Sequence, residues 1–551
     1  MAFEDKLIGP ALKFNTFLDK FPKVYNVYVI AMISCISGMM FGIDISSMSV
    51  FVSDKDYLRF FNSPNSELQG FITSSMALGS FFGAISASFV SEPFGRRPSL
   101  MTCGFFWVVG AVIQSSAQNV AQLIIGRIIG GYGVGFGSSV APVYGSEMSP
   151  RKIRGLIGGL FQFSVTLGIL IMYFVSYGCQ FINGVGSFRI AWGVQMVPGL
   201  LIIIGNFFIP ESPRWLAKQN LWDQAEKIVA EVQAKGDRED PDVIIEVCEI
   251  KEQIFASEKL RSFTFADLFT KKYISRTIVA VSAQIWQQLA GLNVMNYYVV
   301  YIFEMAGYSG NNNLIASCIQ YCLKVGVTGV ALLFMDKFGR RPLLLFGAAG
   351  MMVWQYAVAG LFATYAVQIE NPENDTVRMR IPLDQKAVGK AIIASCFLFV
   401  CCYAGTWGVT IWVYCAEVWG DNAARQRGAA ISTAANWIFN FALAMYTPSS
   451  FKNITWKTYI IYATFCACMF IHVFFFFPET KGKRLEELGL MWQEKVPAWR
   501  SRLWQPDVPF LSDKELHSKM EIEHFEGERN SENSHASQSL ENRILFVSTL
   551  L

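Results

Sequence analysis

The segment Glu92-Pro93-Phe94-Gly95-Arg96-Arg97 follows the second long apolar run of the chain, and Asp336-Lys337-Phe338-Gly339-Arg340-Arg341 follows the eighth. Two further signatures repeat in the same order: Glu147 with Arg154 after the fourth run returns as Glu417 with Arg427 after the tenth, and Pro210-Glu211 after the sixth returns as Pro478-Glu479 after the twelfth. Matched signatures in two sets of six runs predict two six-helix halves related by duplication.

Composition places this duplication in a membrane. The chain has 551 residues, of which 52% are hydrophobic and only 16% are charged, whereas a soluble domain carries about 25% charge. Each apolar run approaches the roughly 20 residues that a helix needs to cross the hydrocarbon core. The runs lie at 25–50, 68–90, 99–118, 121–144, 155–178, 187–209, 276–300, 313–335, 342–366, 387–416, 428–447 and 457–477. The predicted fold class is an all-α integral membrane protein with twelve transmembrane helices in two pseudo-symmetric halves.

Five regions follow from this pattern. They are a cytosolic N-terminus at 1–24, a six-helix half at 25–209, a cytosolic linker at 210–273, a second six-helix half at 274–478 and a cytosolic tail at 479–551. Ala225, Ile228, Val229 and Val232 fall at helical spacing, so the linker is expected to contain short amphipathic helices. The tail is rich in Ser, Glu and Asn, and we expect it to be disordered.

Lysine and arginine are concentrated in alternate loops, such as those with Arg96 and Arg340, and are nearly absent from the loops between them. Basic loops lie on the cytosolic side, which predicts that both termini are cytosolic. Residues 1–23 contain no apolar run followed by a small-residue cleavage site, so the first transmembrane segment is expected to direct insertion. Neither the net charge of +3 nor the histidine and cysteine spacing indicates a nucleic-acid partner, a metal site or a cofactor.

Two charged residues lie inside apolar runs. Asp44 is in the first run and Arg127 is in the fourth. Charges within a bilayer are costly and usually mark a pathway, a proton relay or an ion pair. Two interpretations remain open: the two residues take part in proton coupling, or they form a structural ion pair.

Further motifs carry a resemblance. They are Pro142-Val143-Tyr144-Gly145-Ser146-Glu147, Pro210-Glu211-Ser212-Pro213-Arg214-Trp215, Gln287-Gln288-Leu289-Ala290-Gly291-Leu292-Asn293 and Pro478-Glu479-Thr480-Lys481-Gly482. With the doubled Gly-Arg-Arg, the chain resembles the sugar porter family of the major facilitator superfamily from about residue 24 to 487. Within that family it is similar to the high-affinity glucose transporters of budding yeasts.

The resemblance implies proton-coupled import of glucose and related hexoses across the plasma membrane by alternating access, in a monomer surrounded by lipid. A passive hexose facilitator and a transporter-like glucose sensor remain as alternatives. Asp44 favours coupling, because uncoupled relatives commonly have an uncharged residue at this position. An enzyme is the least favoured class, since no nucleophile–base arrangement or phosphate-binding loop stands on the polar segments.

A hexose has hydroxyls that donate and accept hydrogen bonds and a ring with an apolar face, so neutral amides and one aromatic plate suit it. The predicted binding residues are Phe41, Gln162, Gln287, Gln288, Asn293, Trp412, Asn436 and Asn440, and the resemblance adds Tyr297 and Tyr298 as an extracellular gate. Gln288 and Asn293 lie about 140° apart on an ideal helix, so a break near Gly291 is needed to bring them together. The alternative is that these amides only join helices.

Charges at the ends of the spans are predicted to pair between the two halves when the cytosolic side is closed. This predicted cytosolic gate contains Arg96, Arg97, Glu147, Arg154, Glu211, Arg340, Arg341, Glu417, Arg427 and Glu479. The alternative, a plain positive-inside bias, explains the arginines but not the repeated glutamates.

Three features qualify the resemblance or add to it. Lys324 stands where relatives usually have an asparagine that faces the sugar, and a lysine in mid-span is costly unless it is neutral, paired or hydrated. Gly408-Val409-Thr410-Ile411-Trp412 lacks the prolines that relatives have before the tryptophan, so kinks there are less expected. Asn374 and Asn453 fit the N-glycosylation pattern in loops predicted to be extracellular, and Asn374 is the better candidate.

Overall fold

The computed structural model describes residues 2–150, 153–258, 264–308, 311–369, 376–382, 384–419, 422–483 and 485–505. The chain in these ranges is helical apart from one short pair of strands. The helices of the first half and the linker are α1 Ala2–Leu18, α2 Val27–Ser49, α3 Lys55–Phe60, α4 Ser66–Phe94, α5 Arg96–Ser115, α6 Val120–Met148, α7 Arg154–Cys179, α8 Gly186–Val194, α9 Met196–Gly205, α10 Pro213–Lys218, α11 Trp222–Ala234 and α12 Pro241–Glu258. Those that follow are α13 Ile274–Leu289, α14 Leu292–Tyr297, α15 Val299–Met305, α16 Asn311–Phe338, α17 Arg340–Tyr365, α18 Lys386–Gly405, α19 Trp407–Glu417, α20 Asn422–Asn453, α21 Lys457–Phe476 and α22 Leu485–Gln493.

Ten helical segments in the described ranges are long and apolar enough to cross a membrane, counting α8 with α9 and α18 with α19. The other two predicted spans are helical but fall outside this set. The seventh is divided among α13, α14 and α15, and the eleventh is the long helix α20, which is less apolar. Each half therefore contributes six helical spans, in the order that the repeats predict.

Local chemistry explains where the spans begin and how closely they pack. The side-chain oxygens of Asn26, Asn65 and Asn119 accept backbone N–H groups at the starts of α2, α4 and α6, so donors that the helices leave open are satisfied. Within the first half, α4 and α6 meet backbone to backbone. A Cβ atom on Gly135 would lie 1.9 Å from the carbonyl oxygen of Ser80, so this contact requires glycine.

The seventh span breaks at Gly291. This residue has φ of 85° and separates α13 from α14, a left-handed conformation that glycine adopts without strain. The expected break is confirmed. The tenth span also bends without proline, because Thr406 leaves helical geometry between α18 and α19 and its hydroxyl bonds back to the Cys402 carbonyl oxygen. The segment that lacks the prolines, 408–412, lies inside the continuous helix α19, so the prediction of fewer kinks there is confirmed.

Outside the spans, the structure adds elements that the sequence pattern did not predict. Helix α1 lies in the predicted N-terminal region, and Val367–Gln368 pairs with Met379–Arg380 as two antiparallel strands in the segment between α17 and α18. In the predicted linker, α11 buries Ala225, Ile228 and Val229. In the predicted tail, α22 Leu485–Gln493 is helical, so the prediction of disorder is wrong there, and 506–551 lies outside the described residues.

Candidate functional site

Amide side chains from both sides of the Gly291 break meet within the second half, on helices that include two packed against the first half. The Asn293 amide nitrogen donates to Gln288 Oε1 at 2.7 Å, and Gln288 Nε2 donates to Asn436 Oδ1 at 2.9 Å. Asn436 Nδ2 then donates to Gln287 Oε1 at 2.8 Å and to Gln284 Oε1 at 2.7 Å. The break thus brings together four of the predicted binding residues, which a continuous helix would keep apart.

Gln284 was missed by the sequence analysis. It lies one turn before Gln288 on α13 and is buried. Its spacing from Gln287 and Gln288 is the signal that could have identified it, because residues three and four apart share a helix face.

The remaining predicted binding residues line the interface of the halves. Trp412 Nε1 on α19 donates to Gln162 Oε1 on α7 at 2.9 Å, and the Phe41 ring lies 4.6 Å from the Trp437 ring, edge to face. Asn440 is fully buried on α20, and neither of its amide atoms has a hydrogen-bond partner in the described part of the chain. A buried amide without a partner is costly, and a polar ligand would remove that cost.

Asp44 and Arg127 form an ion pair inside the first half. Arg127 Nη2 donates to Asp44 Oδ2 at 2.9 Å, and the two side chains are 0% and 1% exposed. The guanidinium also donates to the carbonyl oxygens of Ile72 and Thr73. Asp44 Oδ1 has no hydrogen-bond partner among the described residues. One carboxylate oxygen therefore holds the arginine, and the other remains available to accept a proton.

Different contacts join the halves at the two faces of the membrane region. The face with both Gly-Arg-Arg segments is called here the Arg-Arg face. At the other face, the Tyr301 hydroxyl donates across the halves to the Val52 carbonyl oxygen at 3.3 Å. The predicted gate residue Tyr298 stacks on Tyr301 and donates to the Ala444 carbonyl oxygen, while Tyr297 is buried on α14 beside it. Tyr301, which was not predicted, thus forms a bridge between the halves.

At the Arg-Arg face, a carboxylate caps the start of one helix in each half. Glu211 accepts the backbone N–H groups of Arg96 and Arg97 at 2.8 and 3.2 Å. In the second half, Glu479 accepts those of Arg340 and Arg341 at 2.9 and 3.2 Å. Negative charge at a helix N-terminus is favourable. Burial raises the pKa of Glu211, although Arg97 and the bound N–H groups act against this shift.

These carboxylates explain the glycine of each Gly-Arg-Arg segment. Gly95 and Gly339 have φ of 94° and 93°, where side chains are strained. A Cβ atom would lie 2.5 Å from a Glu211 oxygen at Gly95, and 2.7 Å from a Glu479 oxygen at Gly339. The same geometry on both sides supports the duplication that the sequence indicates.

The first arginine of each segment pairs inside its own half. Arg96 holds Glu147 through two hydrogen bonds of 2.9 and 2.8 Å, and Arg340 holds Glu417 through two of 3.2 and 2.8 Å. The predicted pairing between the halves is therefore wrong for these four residues. Bidentate geometry explains the outcome, because the guanidinium fork matches a carboxylate on the neighbouring helix.

Glu211 and Glu479 also cap helices of their own half and do not bridge the halves. The second arginines differ from each other. Arg97 pairs with Asp19 at 2.7 Å, which joins the N-terminal region to the first half, whereas Arg341 donates to the Phe474 carbonyl oxygen. Each of the contacts given above for these residues lies within one half or joins it to the N-terminal region.

One ion pair does cross between the halves at the Arg-Arg face. Arg427 on α20 donates to Glu92 at the end of α4 at 3.0 Å, and the adjacent Gln426 donates to the Ser91 hydroxyl at 3.0 Å. Arg427 was predicted as a gate residue and Glu92 was not, although it begins the first signature. The side chain of Arg154 lies outside the described residues. Contacts between the halves at both faces leave the central amides enclosed.

The remaining sequence predictions fall at the edges of this site. Lys324 on α16 is 2% exposed, and its amine donates to Asn296 Oδ1 at 3.4 Å. Lys324 is therefore enclosed by protein and does not extend to a membrane interface. Asn374 lies outside the described residues, and Asn453 is exposed at the last residue of α20.

Comparisons with known proteins identify the family of the chain. The profile of the family described as "Sugar (and other) transporter" matches residues 30–492. Over 535 residues, 97% of this chain and 98% of the relative, the chain is 66% identical to "High-affinity glucose transporter 1" of Candida albicans. It is 53% identical over 503 residues to the "High-affinity glucose transporter" of Kluyveromyces lactis, with 91% of each chain covered.

Among solved structures, the chain is similar to the "MFS (major facilitator superfamily) proton:xylose symporter XylE bound to 6-bromo-6-deoxy-D-glucose". The TM-score is 0.73 at 27% identity, and the match covers 85% of this chain and 99% of the other. The helical membrane fold predicted from the repeats is confirmed by this similarity.

Proposed function

The chain belongs to the sugar porter family of the major facilitator superfamily, and on that premise we propose that it imports glucose and related hexoses together with protons. Its relatives are named as transporters, so the prediction that it is not an enzyme is confirmed. The observation that carries the hexose assignment is the buried amide cluster of the second half, centred on Gln288 and Asn436. Neutral amides in a lipid environment suit a ligand made of hydroxyls.

In the proposed mechanism, the sugar enters the interface of the halves and takes over the hydrogen bond that Trp412 now makes to Gln162. Gln162 would exchange its bond from Trp412 for a sugar hydroxyl, and Trp412 would offer its ring to an apolar face of the sugar. Asn440 would gain the partner that it lacks. Such differential contacts are what allow a ligand to favour one conformation over another.

Access then alternates between the two faces. Opening of the Arg-Arg face requires the bond between Arg427 and Glu92 to break, while opening of the other face requires Tyr301 to leave Val52. The pairs inside each half, such as Arg96 with Glu147, remain intact and keep each half rigid. We propose that the Arg-Arg face is cytosolic and that both termini lie there, in a monomeric protein of the plasma membrane.

Proton coupling is assigned to Asp44 and Arg127. When Asp44 accepts a proton on its open oxygen, the attraction that holds Arg127 is lost and the first half can rearrange. If the sugar-bound closed state favours the protonated carboxyl, protonation must favour sugar binding to the same degree, because linkage is reciprocal. A structural ion pair would show no such dependence.

The test is uptake of labelled glucose by a strain that lacks its own hexose transporters, with and without a protonophore. A proton symporter accumulates a non-metabolised glucose analogue above the external concentration, and the protonophore abolishes that accumulation. Uptake that only equilibrates and ignores the protonophore would identify a passive facilitator. A surface-expressed protein that transports no hexose would overturn the hexose assignment and favour a sensor.

A further inference from the structure

A lysine stands at one end of the amide cluster. Lys324 is buried in the middle of the 28-residue helix α16. Within the described part of the chain its amine contacts no carboxylate, and its hydrogen bond goes to the side-chain oxygen of Asn296. A buried amine in a membrane needs stabilising partners, and here the partner is an amide dipole.

Asn296 links this amine to the predicted sugar-binding residues. Its Nδ2 donates to Asn293 Oδ1 at 3.3 Å. Asn293 in turn donates to Gln288, and Gln288 donates to Asn436. The result is an unbroken chain of hydrogen bonds from α16 through α14 and α13 to α20. It ends at the side-chain oxygens of Gln287 and Gln284.

Every bond in this chain runs in the same direction. At each step an amide nitrogen donates away from Lys324, and each amide oxygen points back toward it. In its ammonium form, Lys324 has three donors and no acceptor, so in that form it requires the oxygen of Asn296, to which it donates. With its oxygen bonded to Lys324, Asn296 donates to Asn293 through its nitrogen. This bond fixes the orientation of the Asn293 amide, and the orientation of each following amide is fixed in turn. Aligned amide dipoles strengthen one another and stabilise the positive end.

Without a donor-only residue at its head, the chain could run in either direction. The oxygen and nitrogen ends of an amide have nearly the same shape, and a complete reversal would preserve every amide-to-amide bond. The direction decides what the cavity offers a ligand. In the observed direction the amide oxygens from Asn296 to Gln287 and Gln284 all accept hydrogen bonds within this series, so the groups left for a ligand are amide N–H donors.

We propose that Lys324 is a positioning residue that sets the direction of this amide chain and thereby makes the site select sugar oxygens as hydrogen-bond acceptors. The inference rests on the proposed hexose transport and adds the rule by which hydroxyls are recognised. Lys324 acts through Asn296 and needs no contact with the sugar.

The test compares deoxy and fluoro analogues of glucose at each ring position. A fluorine atom accepts weakly and cannot donate, whereas a deoxy position does neither. At a position read by an amide donor, the intact protein should prefer the fluoro analogue by about 2- to 10-fold in KM, the factor that one neutral hydrogen bond carries. The preference should fall to about 1 in Lys324→Gln, whose amide can turn either way.

Lys324→Arg is the matched control, because guanidinium is also donor-only and should retain the preference. Lys324→Met, which removes the donor altogether, is the second test variant if Lys324→Gln does not reach the membrane. An unchanged preference in either test variant overturns the inference, as does an intact protein without a preference at any position. A uniform loss of affinity for all analogues also overturns it. Failure of the intact protein to transport glucose at all would instead refute the proposed function.

Discussion

Replacement of Asp44 by asparagine separates proton coupling from sugar movement. The asparagine oxygen can still accept the 2.9 Å bond from Arg127, so the shape of the site is retained while the proton-accepting carboxylate is lost. The change also leaves the buried Arg127 charge without a counter-ion, and such losses cost about 3–5 kcal/mol of stability. Surface expression must therefore be measured beside transport.

The expected effect on accumulation is large. With proton coupling through Asp44 as proposed, one carboxylate carries one proton per sugar. At a membrane potential of about 100 mV and a gradient of about one pH unit, that proton supplies about 3.7 kcal/mol, enough for roughly 500-fold accumulation. Asp44→Asn should reduce the ratio to about 1, because an uncoupled carrier reaches only equality.

The assay loads cells with a labelled, non-metabolised glucose analogue and records both the final concentration ratio and sugar-induced proton entry. Downhill exchange of the analogue should persist in Asp44→Asn. Asp54→Asn is a suitable control, since Asp54 caps α3 outside the spans through its bond to the Tyr57 N–H and asparagine caps as well as aspartate. Full accumulation by Asp44→Asn would refute the role of Asp44, and no accumulation by the intact protein would refute symport.

Three further predictions concern the sugar plate, the Arg-Arg face and glycosylation. Trp412→Ala should raise the KM for glucose by about 5- to 150-fold at normal surface expression, the equivalent of about 1–3 kcal/mol; unchanged uptake at low glucose would contradict this. Glu92→Gln should raise the ratio of open to closed molecules at the Arg-Arg face by a factor of about 1.4 to 5, as expected for loss of a partly exposed ion pair. Distances between spin labels on α4 and α20 measure the two populations. Glu92→Arg combined with Arg427→Glu should restore closure, and failure to do so would refute the gate. Glycosidase should increase gel mobility, and the change should disappear when Asn374 and Asn453 are both replaced by glutamine; no change with both intact would refute modification.

The spans and the duplication could be predicted because lipid leaves the backbone little choice. Each span must satisfy its own hydrogen bonds, so an apolar run of sufficient length becomes a helix. The break at Gly291 could also be predicted, since the amides around it could not otherwise converge. Helix α1 was harder to predict, because Pro10 lies inside it and its polar residues give no clear apolar stripe.

The sequence did not show which charged residues at the site pair with one another. The glutamates and arginines at the Arg-Arg face fit pairing within a half as well as pairing between halves, and only the positions of the helix ends decide between them. Asn296 and Tyr301 were missed for the same reason. A polar residue near other polar residues shows its role only when the direction of its hydrogen bond is known.

The break at Gly291 places a hinge within the binding site itself. Gln288 lies on the helix before it and Asn293 on the helix after it, and beneath them the Tyr462 ring would lie 3.0 Å from a Cβ atom at position 291. A ligand that bonds to both residues links the two helical segments across the break, whereas a ligand that bonds only to Gln288 leaves them unlinked. Under the proposed alternating access, only the first ligand favours one arrangement of the two segments over another. Tight binding and rapid transport are then separate properties of a ligand.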